Sequence, residues 1–145
     1  MNLRPEEMYE RILAGVSDGL EREVFGVLAR NINRLVTREQ IILAVYGTAV
    51  GEGGLTKDPR DRKIRICISR LRNKDYPIVS SSGESGYMLK ADENDIDLAI
   101  MEMCKKVESM QDTIGHMRRS KGVARDIRLW VQTVESERAT QGRLL

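Results

Sequence analysis

The chain has 145 residues, 41% of them apolar and 32% charged, with one Phe and one Trp, which suits one ordinary domain with a modest core plus an appendage. Its 24 Lys and Arg nearly balance 22 Asp and Glu, so the net +2 says little about partners and the placement of the charges has to be examined. No apolar run approaches the roughly 18 residues of a membrane span, the opening MNLRPEEMYE is not signal-like, and Cys67 and Cys104, far apart and with a single His in the chain, exclude a disulfide framework and a Cys/His zinc site. The expectation is a soluble protein of a reducing cytoplasm.

Pro5, followed by Glu6 and Glu7, suits the first turn of a short helix, because acids favour its positive end. Leu3, Met8, Tyr9 and Ile12 would form its apolar stripe, and Gly15 would end it. A second helix is predicted from about Leu20 to Asn31, with Leu20, Val24, Val27 and Leu28 at helical spacing. After a turn at Asn31–Arg34, Leu35–Val36 reads as a stub strand. Thr37 then caps a third helix through Ile41, Ile42, Val45 and Tyr46, closed by Gly47. The stretch from Gly47 to Lys57 holds four glycines and reads as a loop.

The fourth helix has the clearest start, with Asp58 as N-cap, Pro59 at the first helical position and Asp61 in the first turn. Ile64, Cys67, Ile68 and Leu71 form one apolar face. Arg62, Arg65, Ile66, Ser69 and Asn73 fall opposite, with Arg70 and Arg72 on the flanks. Residues 57–74 carry eight cations (Lys57, Arg60, Arg62, Lys63, Arg65, Arg70, Arg72, Lys74) against Asp58 and Asp61, a local +6. Such a block attracts polyanions, although a solvated helix face is the commoner cause of a charge run. Arg can bond a guanine edge at two points, Asn an adenine edge, and both reach phosphates. Beyond the helix, 76–82 and 87–90 flank the Gly-bounded turn 83–86 and read as a β-hairpin, with Pro77 at a strand start.

The segments Thr37-Arg38-Glu39-Gln40-Ile41-Ile42, Ile64-Arg65-Ile66-Cys67-Ile68-Ser69-Arg70-Leu71-Arg72 and Ser80-Ser81-Ser82-Gly83-Glu84-Ser85-Gly86-Tyr87-Met88-Leu89 follow each other in the order middle helix, basic helix, hairpin. In this they resemble a winged helix-turn-helix domain of the biotin-repressor or response-regulator kind, and look closest to small bacteriophage-encoded helix-turn-helix proteins. The likeness covers about residues 20–90. It implies that Arg62, Arg65, Ser69, Arg70, Arg72 and Asn73 approach double-stranded DNA, and that the wing tip, Ser81 to Ser85, lies along a phosphate backbone or the minor groove. Lys57, Arg60, Lys63, Ser81 and Ser82 complete the candidate surface. This chain departs from the pattern in two ways: the loop before the basic helix is long, and the wing tip carries Glu84 and no Lys or Arg.

From Asp92 the composition changes. Residues 92–117 hold seven acids against Lys105 and Lys106, and 118–145 hold seven Arg and Lys against three acids. Ile96, Ile100, Met103, Val107, Met110, Ile114 and Met117 are spaced 4, 3, 4, 3, 4, 3, an unbroken heptad repeat. With β-branched residues at position a, it reads as a parallel two-stranded dimerisation helix; the competing reading is one amphipathic helix lying on its own domain. Past Gly122, a second stripe of Val123, Ile127, Trp130, Val131 and Val134 would fold back or dock a partner, and Glu137 to Leu145 would fray.

The expected fold class is mainly α, an α+β winged helix with a long C-terminal helix or coiled coil. The expected parts are an N-terminal helix (1–16), the winged domain (17–91), the heptad helix (92–121) and a C-terminal helix and tail (122–145). No catalytic constellation stands out: His116 is alone, the 47–54 glycines lack phosphate-loop spacing, and both cysteines read as structural, so neither enzyme activity nor a cofactor or metal is expected. The reading is a DNA-binding homodimer serving transcription or replication. Its rivals are the DNA-recognising small subunit of a phage packaging ring and a protein-binding adaptor that never touches nucleic acid.

Overall fold

The computed structural model describes residues 2–80 and 85–144, with side chains given as far as Gly142. The chain is mainly helical with a small antiparallel sheet: α1 Pro5–Ile12, α2 Gly19–Arg30, β1 Val36–Thr37, α3 Arg38–Tyr46, α4 Pro59–Asn73, β2 Ile78–Ser80, β3 Gly86–Leu89 and α5 Glu93–Leu144. It divides into two compact units, residues 1–99 and 100–145. No helix among the described residues is long and apolar enough to cross a membrane.

The local stop and start signals act as expected. Asp58 Oδ1 accepts from the Arg60 amide at 3.0 Å ahead of α4, and Asp18 caps α2 by accepting from the Glu21 amide at 2.9 Å. Thr37 Oγ1 accepts from the Gln40 amide while Gln40 Oε1 accepts from the Thr37 amide, a reciprocal cap worth about 1 kcal/mol. Gly47 ends α3 in the left-handed conformation (φ 76°), which a residue without Cβ adopts freely. The loop before α4 contains a single 3₁₀ turn at Leu55–Lys57.

The first unit has one core. Ile64, Cys67, Ile68 and Leu71 bury the predicted face of α4 against Val24, Phe25 and Leu28 of α2 and Ile41 and Ile42 of α3. The sheet runs in the order β1-β3-β2, with Val36 opposite Tyr87 and Ile78 opposite Leu89. Val36, Ile78 and Leu89 close the core from that side.

Several expectations are corrected. Of the stripe assigned to α1, Tyr9 packs against the core while Met8 and Ile12 are exposed, and Leu13 and Val16, in the turn that follows, enter the core. That turn is held by Arg22, whose Nη1 donates to the Leu13 and Val16 carbonyls at 3.1 and 2.9 Å. Segment 1–16 lies within the first unit. The chain also does not break near Gly122 or fray at Glu137. α5 is one helix of 52 residues, because Gly in a helix interior costs only about 1 kcal/mol, too little to stop a long run of helix formers.

Burial pushes the Cys67 thiol up to about 11 from 9.0, with Glu21 and Asp18 adding to the shift. Below pH 9 the thiol is neutral in both the folded and unfolded chain. Above it the unfolded thiol ionises first, so stability should fall as pH rises from 9 towards 11. Denaturant titrations of wild type and Cys67→Ala across that range check this, and the variant should show the shallower decline. A thiol reagent at neutral pH should modify the exposed Cys104 at once and Cys67 only on unfolding.

Candidate nucleic-acid interface

α4 presents two opposed lines of side chains. Ile64, Cys67, Ile68 and Leu71 are anchored in the core. Arg62, Ile66, Ser69 and Asn73, at spacings of four, three and four, form the exposed line directly opposite. Lys63 and Arg70 flank it on one side, also exposed. Burying the first line sets the direction of the second, so the solvent face of α4 is fixed by the core beneath it.

The eight cations of 57–74 have different roles in the fold. Arg60 turns away from the exposed line. Its guanidinium donates to Asp58 Oδ2 at 2.7 Å, to Thr48 Oγ1 at 2.6 Å and to the Ala49 carbonyl at 3.2 Å, and it lies 5.5 Å from the centre of the Tyr46 ring. The Arg60 guanidinium and amide both hold the Asp58 carboxyl below its usual range. Arg60 is thus a clamp between the 48–49 loop and α4. The sequence carried a signal for this: Arg60 precedes Ile64, Cys67 and Leu71 by four, seven and eleven residues, which places it on the inward stripe.

Arg72 is also committed. Its Nε donates to the Ile78 carbonyl and its Nη2 to Ser80 Oγ, both at 2.8 Å, and it packs 5.5 Å from the centre of the Tyr87 ring. It fastens the β2–β3 pair to α4. Lys74 lies 3.5 Å from Glu21, a buried carboxylate of α2. Arg65 shares Asp61 with Arg38: Asp61 Oδ2 accepts from Arg65 Nε at 3.1 Å and from Arg38 Nη1 at 3.0 Å. The Arg65 side chain is still 54% exposed and can turn outward.

That leaves Lys57, Arg62, Lys63 and Arg70 as exposed cations with no ion pair among the described residues, and Ser69 and Asn73 exposed beside them. Arg38, Leu55, Lys57, Asp61, Arg62 and Arg65 line one open cleft at the amino end of α4. Sequence reasoning missed two members of this site. Arg38 comes from α3, 23 residues from Asp61, and Asp61 is buried as the pivot of both arginines rather than serving only as a first-turn acid. Ser81 and Ser82, and the wing tip through Glu84, lie outside the described residues; Ser85 is exposed.

No protein-family model, no curated protein and no solved structure matches the chain. Among the described residues no cluster of His, Cys, Asp or Glu is arranged to hold a metal ion.

Proposed function

We propose that this protein binds double-stranded DNA, with the exposed line of α4 entering the major groove in the manner of a winged helix-turn-helix recognition helix. The observation that carries the reading is the exposed line Arg62, Ile66, Ser69 and Asn73, flanked by Lys63 and Arg70, which have no ion pair among the described residues, and backed by a fully anchored opposite face. Arg62 and Asn73 have the donors to read base edges, Ile66 offers a methyl-sized apolar contact for thymine, and Lys63 and Arg70 on one flank, with Lys57 ahead of the helix, fit phosphates. Support also comes from the β2–β3 pair that follows α4 and is fastened to it by Arg72.

The test is fluorescence anisotropy with a labelled mixed-sequence duplex. Three phosphate contacts imply that affinity falls roughly fortyfold between 50 and 200 mM salt. Arg62→Ala should cost about 1–3 kcal/mol and relax sequence preference, whereas Lys63→Ala and Arg70→Ala should weaken all sequences alike and flatten the salt slope. Arg60→Ala, in contrast, should lower thermal stability and leave the affinity of the folded protein intact. Absence of a salt-sensitive complex at 50 mM would remove the DNA reading and leave the protein-binding adaptor.

A further inference from the structure

The second unit poses a separate question. From Ile100 to Val131, α5 holds its large apolar side chains exposed, Trp130 at 66%. Apart from Met101 and Leu129, they form two stripes on one continuous helix, Ile100–Met117 and Val123–Val134. The second stripe does not continue the first. The heptad after Met117 would place Lys121, Ala124, Arg128 and Val131 on the seam, so of the second stripe Val131 alone stays on it, and Val123, Ile127 and Trp130 each lie one position off. A parallel, in-register partner would therefore stack Lys121 on Lys121 and Arg128 on Arg128, and leave Val123, Ile127 and Trp130 bare.

The two stripes match each other when one is read backwards. Ile100 and Trp130, Met103 and Ile127, and Val107 and Val123 are pairs whose numbers each sum to 230, and Ile96 earlier in α5 matches Val134 by the same rule. In an antiparallel pair of helices, position a of one faces position d of the other. With Ile100 and Val107 at a, and Val123 and Trp130 at d, each of these layers has that form. The same register sets Lys106 beside Asp126 on the flank of the seam. The charges agree: residues 96–114 carry four acids against two lysines, and residues 116–134 carry five cations against one acid. Antiparallel pairing lays the acidic half on the basic half, whereas parallel pairing lays each on its like.

We infer that α5 is the docking surface for the α5 of a second copy of this chain, antiparallel, with Ile100, Met103 and Val107 of each copy seated against Trp130, Ile127 and Val123 of the other. The dyad falls at Gly115. The one-position step between stripes turns the apolar face by about 100°, so the two helices wind around each other at that step. A groove lined by Ile114, Met117 and Ala124 continues the line of the first stripe past that step. The central layers are mixed, with Ile114 facing His116 and Met117 facing Thr113, so the apolar contacts are concentrated in the two outer thirds. The inference stands apart from the DNA reading, and either can fail without the other.

Two measurements test it on the full chain. Met103→Cys with Ile127→Cys, in a Cys104→Ser background, should oxidise to a covalent dimer, while either single substitution, or Met110→Cys alone, should not. A cross-link from Met110→Cys alone would establish the parallel seam and overturn the proposal. So would a Met103→Cys, Ile127→Cys product of monomer mass, which would mean folding back within one chain, or no product at all. Trp130, the only Trp, reports independently without perturbing the helix. In wild type its emission should shift to the red on dilution as Ile100 of the other copy leaves it, and Ile100→Asp should hold it red at every concentration. Emission that does not change with concentration, together with a monomer mass in light scattering, would also overturn the proposal.

Discussion

Replacing Ile64 with alanine should cost about 2–5 kcal/mol of folding stability, while the same replacement at Ile66, two residues further along the same helix, should cost no more than about 0.5 kcal/mol. The two side chains point about 200° apart around the helix axis, roughly half a turn. Ile64 is fully buried and packed with α2 and α3, whereas Ile66 is 39% exposed in the centre of the opposite line. Truncating Ile64 leaves a cavity at the junction of three helices, where neighbours anchored on other elements cannot collapse to fill it. Truncating Ile66 removes a side chain that touches mostly water. Urea titration of both variants measures the difference. In DNA binding the order should reverse: Ile66→Ala should alter the preference for thymine-containing sites, and the folded fraction of Ile64→Ala should bind as wild type does. Equal stability losses at the two positions would mean that α4 is rotated relative to the core, and the candidate surface would have to be redrawn.

A second large effect is expected at Gly86, the first residue of β3. A Cβ built there lies 2.6 Å from the Val36 carbonyl oxygen and 3.1 Å from Thr37 Cα. Both are backbone atoms of β1, the strand that pairs with β3 through Val36–Tyr87 and Thr37–Gly86. A flexible side chain could swing aside, but a paired strand cannot. Gly86→Ala should therefore force β3 off β1 and cost about 1–3 kcal/mol, the usual range for overpacking. At an unstrained site the same substitution stabilises by about 0.4–1 kcal/mol, so the sign of the effect is itself the test. For a unit of this size each kcal/mol shifts the melting temperature by roughly 4–8 °C. A melting temperature at or above that of wild type would show that the two strands are less closely packed than described.

What lay open in the sequence were the features encoded within about one helical turn. Thr37 with Gln40, Asp58 with Pro59, and Gly47 as a stop all act within four residues of the backbone groups they satisfy, so spacing alone placed them. The buried face of α4 was equally legible, since Ile64, Cys67, Ile68 and Leu71 share one side of any helix built from that segment. The hairpin followed from two short apolar runs around glycine. The matched stripes of α5 were present in the numbering too, but only a helix uninterrupted from Glu93 to Leu144 places both on one rod.

Which cations stay free was decided by the tertiary structure. Arg60 is occupied because the carbonyl of Ala49 and the hydroxyl of Thr48 come within reach of it, and Arg72 because β2 brings up the Ile78 carbonyl and Ser80. Glu21 is buried beside Lys74, 53 residues away, and Arg38 reaches Asp61 from another helix. A charged side chain in a sequence carries no mark of the acceptor that a distant loop will bring to it. Apolar periodicity could say which way α4 faces, but only the packing of loop, hairpin and neighbouring helices could say which of its arginines remain available to a ligand.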